Sequence, residues 1–161
     1  MPSFDVVSKV NQAEVDNALL QTQKEIGTRF DFRDTGTSVE RGAEGLVMVS
    51  NAEGRLEAAY DVLQGKLVRR GVSLKHLDPQ TVQPAAKGTV RQVVKIKEGI
   101  DRDNARKVID LIKNTKLKVQ GAIHEDTVRV SGKNKDDLQA VMKALKAEEL
   151  PFEVQFVNFR D

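Results

Sequence analysis

The feature that most constrains this chain is that its hydrophobic pattern is written twice. Residues 4–10 alternate with the period of a strand, and Asn11 followed three places on by Glu14 marks a helix start. The helix it predicts carries Val15, Ala18, Leu19 and Ile26 on one stripe. Residues 28–34 and 45–50 read as two strands joined by a loop over 35–44. Leu56, Ala59, Tyr60, Leu63 and Leu67 then predict a second helix, with Gly71 placed to end it. A weakly signalled strand falls within 72–82.

Pro79, Pro84 and Gly88 break both periods, and the pattern begins again. Residues 90–97 form a strand, Ala105, Val108, Ile109 and Ile112 stripe a helix, and strands over 117–123 and 127–131 flank the polar turn His124-Glu125-Asp126. Asn134 with Asp137 starts a fourth helix bearing Leu138, Val141, Met142 and Leu145, and residues 152–159 close the chain as a strand. Two successive β-α-β-β-α-β units define an α+β protein of two tandem ferredoxin-like domains, residues 1–88 (ending in a linker at about 79–88) and residues 89–161. Helices cover one face of such a sheet, so function is sought on the open one.

Composition narrows the function classes. A chain of 161 residues with no cysteine has no disulfide, thiolate metal site or cysteine nucleophile. It has no apolar run of membrane-spanning length and no signal-peptide pattern, so the expectation is a cytoplasmic protein without a membrane partner. H-E-x-x-H, G-x-S-x-G, G-x-G-x-x-G and the P-loop spacing are all missing, and His76 and His124 fall in different halves. The expectation is therefore a non-enzyme with no cofactor and no metal.

Charge is more informative in its distribution than in its total. The net charge is only +2, but residues 89–161 carry fifteen Lys and Arg against twelve Asp and Glu. If Leu117, Val119, Ile123, Val128 and Val130 face the helices, the period of two sends Lys118, Gln120 and Arg129 to the open face. The same reasoning on the strand over 90–97 places Lys95 and Lys97 there. These cations are read as converging with no carboxylate among them, a face suited to anions. Strand positions facing water are polar in any case, so a plain solvated face stands beside that reading. Ser131-Gly132-Lys133-Asn134 sets Lys133 at a strand-to-helix junction, where a capped turn explains the residues and a helix N-terminus also favours phosphate. Lys66, Arg69 and Arg70 form a third basic group at a helix C-terminus, which they stabilise in either case. Phe30 and Phe32 align with Leu117 and Val119 and are expected in the core, which leaves no aromatic platform for stacking bases.

Several segments carry a family resemblance. The opening Met1-Pro2-Ser3-Phe4-Asp5, Thr28-Arg29-Phe30-Asp31-Phe32-Arg33, Lys66-Leu67-Val68-Arg69-Arg70-Gly71, Lys116-Leu117-Lys118-Val119-Gln120, Arg129-Val130-Ser131-Gly132-Lys133 and the ending Phe156-Val157-Asn158-Phe159-Arg160-Asp161 together resemble the bacterial YajQ family. The resemblance implies two ferredoxin-like domains that exchange their first strands, in which case Lys95 and Lys97 leave the sheet holding Lys118 and Arg129. It implies a regulatory receptor for a nucleotide, cyclic di-GMP or GTP, acting on a transcription regulator. The alternatives are an RNA (tRNA)-binding module and a protein-interaction adaptor. Lys135 stands where the family commonly has Arg, and a lysine there is a point charge rather than a bidentate fork.

Overall fold

A computed structural model describes residues 1–161. Along the chain the elements are β1 (Ser3–Val7), α1 (Gln12–Thr28), β2 (Ser38–Arg41), β3 (Leu46–Ser50), α2 (Glu53–Arg69), β4 (Leu77–Pro79), β5 (Gln83–Pro84), β6 (Val90–Ile96), α3 (Arg102–Asn114), β7 (Val119–His124), β8 (Thr127–Gly132), α4 (Lys135–Ala147) and β9 (Gln155–Arg160). No helix is long and apolar enough to cross a membrane.

The first unit comprises Met1–Lys9 and Glu98–Asp161. Its sheet runs β7-β8-β1-β9, antiparallel throughout, with α3 and α4 on one face. Phe4, Val6, Val128 and Val130 are completely buried with Val108 and Val141 of the helices, as alternation in the strands requires. Asp101 caps α3 by accepting from the Asn104 N–H at 2.8 Å, and Asn134 caps α4 by accepting from the Asp136 N–H at 2.9 Å.

The second unit is Val10–Lys97, with a sheet ordered β2-β3-β6-β4 and β5 pairing β6. Asn11 caps α1 through Glu14 as its spacing predicts, and Val15, Ala18, Leu19 and Ile26 are buried. At the end of α2 the Val72 N–H reaches the Leu67 carbonyl at 3.0 Å and the Gly71 N–H the Val68 carbonyl at 3.0 Å. Gly71 supplies the φ of 77° that this closure needs. Each unit is thus ferredoxin-like, and their first strands are exchanged: β1 pairs β8 and β9, whereas β6 pairs β3 and β4.

The units do not follow the contiguous division at 88/89. The supposed linker belongs to the second unit: Gln83 and Pro84 pair with Arg91 and Val90, and the Gln80 N–H donates to the Val93 carbonyl at 2.8 Å. Proline is tolerated there because β4 and β5 lie at the sheet edge, where a missing N–H breaks no interior ladder.

The strand expected over 28–34 is also absent. Helix α1 continues to Thr28, and Phe30–Phe32 form a 3-10 turn. Arg29 bridges Glu25 and Asp31, and the Thr35 hydroxyl donates to the Phe32 carbonyl at 2.7 Å, so local side-chain bonds hold the turn that alternation alone misread. Phe32 is buried, but Phe30 is 82% exposed rather than in the core. Strand β2 instead falls inside the segment 35–44 expected to be a loop, with Val39 buried and its carbonyl accepting from Gln23 Nε2 at 2.8 Å.

Candidate functional site

On the open face of the first unit, cross-strand register lines up Gln120, Ser131, Ser3 and Arg160 in one row, and Ala122, Arg129, Asp5 and Val157 in the next. Arg129 faces as alternation predicts, but it is not a free cation. Its Nε donates to Asp5 Oδ1 at 2.9 Å, and Asn158 Nδ2 donates to Asp5 Oδ2 at 2.9 Å. The expectation of a face without carboxylates is therefore corrected by Asp5, which comes from a strand 124 positions away in the chain. Burial pushes the Asp5 carboxyl up, but the hydrogen bonds from Arg129 and Asn158 and the charges of Arg129 and Arg160 together hold it below the ordinary aspartate value.

Lys118 and Lys133 meet different surroundings. Both are exposed and neither forms an ion pair. They border a recess of about 430 Å³ at the end of β7 and β8 beside the start of α4, together with Met1, Val119, Gln120, Ser131, Asn134 and Asp137. Gly132 favours this convergence. A Cβ there would stand 3.0 Å from Val119 Cγ1 and 3.1 Å from the Lys118 carbonyl oxygen, so any side chain would push β8 and the start of β7 apart by a few tenths of an ångström. The Gly132 N–H donates to the Pro2 carbonyl at 3.1 Å, fixing the chain start at the same rim. Asp137 is the one carboxylate of the lining, set in the first turn of α4, where the helix dipole favours it. Lys135 points to Asp161 instead, at 2.5 Å, and holds the Asp161 carboxyl below its ordinary range.

The remaining expected cations lie in the second unit and in separate places. Lys95 stands opposite Asp78 on β4 and, with Arg91, Gln80, Thr81 and Glu44, lines a polar recess of about 240 Å³. Lys97 donates its backbone N–H to the His76 carbonyl at 2.7 Å, while Nδ1 of the buried His76 bonds the Lys97 carbonyl at 3.0 Å. Lys66 is paired with Glu25 at 2.9 Å, and Arg70 lies 3.9 Å from Glu14. Glu25 is held below the ordinary glutamate value first by its hydrogen bond from Lys66, then by that from Arg29 and both charges, against the opposing effect of burial. Arg69 borders a groove with Lys66, Arg29, Glu25 and Asp61, where Glu25 pairs with both Lys66 and Arg29.

Of the eight expected cations, then, the structure brings two pairs to a shared recess, Lys66 with Arg69 and Lys118 with Lys133, and only in the second pair is neither member in an ion pair. Sequence reasoning marked the Ser131-Gly132-Lys133-Asn134 junction but did not bring Met1, Val119 or Asp137 to it. Met1 reaches this rim through the pairing of the chain start with β8, which no local pattern signals.

Exchanged ferredoxin-like units and a lysine-bordered recess on the first of them define an α+β protein of tandem ferredoxin-like design. A family model described as nucleotide-binding protein YajQ-like matches residues 2–160, and the chain belongs to that family. A relative from Anaeromyxobacter sp. (strain K), named nucleotide-binding protein, is 52% identical over 162 residues, covering 100% of both chains. Relatives with the same name from Desulfitobacterium hafniense and Trichlorobacter lovleyi are 49% and 45% identical, covering 98% and 100% of this chain and 97% and 100% of their own.

Proposed function

We propose that this chain is a non-enzymatic nucleotide receptor whose ligand occupies the Lys118–Lys133 recess of the first unit. The observation that carries this reading is that Lys118 and Lys133 border one recess and neither forms an ion pair, while Arg129, Lys66 and Arg70 face carboxylates. The lining suits a nucleotide in kind as well as charge. Lys118 and Lys133 attract phosphate, the Gln120 amide and Ser131 hydroxyl supply donors and acceptors for base or ribose, and Val119 and Met1 offer apolar surface. Its volume falls within the ~300–1,000 Å³ of small-molecule sites. The names of the relatives support the same class, and a guanine nucleotide such as cyclic di-GMP or GTP is the specific ligand proposed, read out in the cytoplasm through a transcription regulator.

Calorimetric titration of the full chain with cyclic di-GMP, GTP and a short single-stranded RNA, at two salt concentrations, tests the assignment. Saturable binding of one nucleotide that persists at the higher salt, and is lost in the Lys118→Glu/Lys133→Glu variant, is the expected result. Binding of RNA alone, vanishing as salt rises, replaces the receptor with an electrostatic RNA module. No heat with any ligand leaves a protein-interaction adaptor.

A further inference from the structure

The exposed ring of Phe30 in the second unit answers to nothing in the recess described above. Most large apolar side chains of this chain are buried, whereas Phe30 is 82% exposed. It is not on a loose segment. The Phe32 N–H donates to the Arg29 carbonyl at 3.2 Å, the Arg33 N–H to the Phe30 carbonyl at 3.1 Å and the Thr35 N–H to the Phe32 carbonyl at 3.3 Å. Arg29 grips Asp31 through Nε at 3.0 Å and Nη2 at 2.6 Å, and its guanidinium also lies 5.0 Å from the centre of the buried Phe32 ring. The turn is pinned from inside, and it presents Phe30 outward.

Arg33 completes the arrangement. Its guanidinium lies 5.5 Å from the centre of the Phe30 ring and, unlike Arg29, forms no ion pair. Arg33 also borders a recess of about 320 Å³ with Arg29, Phe32, Asp34 and Thr37. A largely exposed aromatic ring with a guanidinium over one face, free of any carboxylate, matches on its other face a planar heterocycle carrying an anionic group. The ring provides the stacking surface, and Arg33 provides a charge able to fork onto phosphate oxygens.

We infer that the Phe30–Arg33 turn is a second nucleotide contact, separate from the Lys118–Lys133 recess, at which an unpaired base stacks on Phe30 and its phosphate is held by Arg33. The shared chemistry is base plus phosphate, supplied either by a free nucleotide or by a single strand of RNA. This goes beyond the receptor reading and does not depend on it.

The chain contains no tryptophan and a single tyrosine, Tyr60, so Phe30→Trp installs the one tryptophan, selectively excited at the red edge where tyrosine does not absorb, while keeping an aromatic face. Titration of the full-length variant with GTP in one arm and a short oligoadenylate in the other is expected to quench that fluorescence saturably. Quenching by GTP assigns the contact to a free nucleotide, and quenching by the oligomer alone assigns it to a strand. Phe30→Leu, which keeps an apolar side chain but no ring, is expected to weaken the quenching ligand about tenfold. Arg33→Gln is expected to flatten the salt dependence of an RNA ligand by about 0.7 in slope. Quenching must survive in a Lys118→Glu/Lys133→Glu background; its loss there overturns a separate site. No quenching by either ligand, with unchanged affinities in Phe30→Leu, overturns the inference and hands the ring to a protein partner.

Discussion

Arg129 donates its Nε–H to Asp5 Oδ1 at 2.9 Å, joining a strand from the start of the chain to one near its end. Asp5 is 5% exposed and also accepts from Asn158, whose φ of 56° marks the irregularity in the β1–β9 register. Removing the carboxylate strands an arginine and an amide together. Asp5→Ala is therefore expected to destabilise the fold by about 2 kcal/mol, measured by urea unfolding. Arg129→Glu, which sets two carboxylates against each other, is expected to cost more. A nucleotide-affinity loss in Arg129→Glu thus has to be separated from unfolding by a parallel stability measurement.

Lys118 and Lys133 have no such structural partner, and their reversal reads out binding alone. The Lys118→Glu/Lys133→Glu variant is expected to unfold within about 0.5 kcal/mol of the parent while its nucleotide affinity falls at least about tenfold at low salt. Equal affinity in the folded variant would move the ligand away from this recess.

The depressed Asp5 carboxyl sets the sign of a pH effect. A carboxylate that titrates lower when folded than when unfolded contributes its stability above the ordinary aspartate value of 3.8 and loses it as pH falls through the folded value. Glu25, Asp31 and Asp161 are shifted in the same direction, so the parent is expected to weaken on acidification below about pH 4. Asp5→Asn removes one titrating group while keeping its shape. The fall in urea midpoint between about pH 6 and about pH 3 is expected to be smaller in that variant than in the parent, and an identical fall would show that Asp5 takes no part.

Gly45 tests the second unit independently. Its φ is 146°, and a Cβ there would press against the Val94 carbonyl oxygen and stand 3.0 Å from the Lys95 Cα. The neighbour is strand backbone, which cannot swing aside. Gly45→Ala is expected to lower stability by about 2 kcal/mol by thermal unfolding, while Gly54→Ala, in open space on α2, is expected to be neutral or stabilising.

The α+β duplication and all four helices were legible, because caps and stripes are local: Asn11, Gly71 and Asn134 each act on backbone groups a few residues away. Alternation also assigned Lys118, Arg129 and Lys95 to the faces they occupy. It failed at Thr28-Arg29-Phe30-Asp31-Phe32, where two spaced phenylalanines imitate a strand but a salt-bridged turn buries one and exposes the other. The site was half legible. Lys118 and Lys133 were visible as cations, but nothing in the string of residues distinguished them from Lys66 or Arg129.

By itself, the sequence determined what short-range physics decides: the repeated β-α-β-β-α-β order, the helix boundaries set by caps, and the absence of any cysteine chemistry. Only the tertiary structure decided which strands share a sheet and which cations keep their charge available. Period-two patterning specifies a strand's faces but not its neighbours, so the exchange of β1 and β6 lay beyond it. With that exchange came Asp5 beside Arg129, so that of the expected cations in the first unit only Lys118 and Lys133 form no ion pair, because Coulombic pairing acts through distance in space and not along the chain.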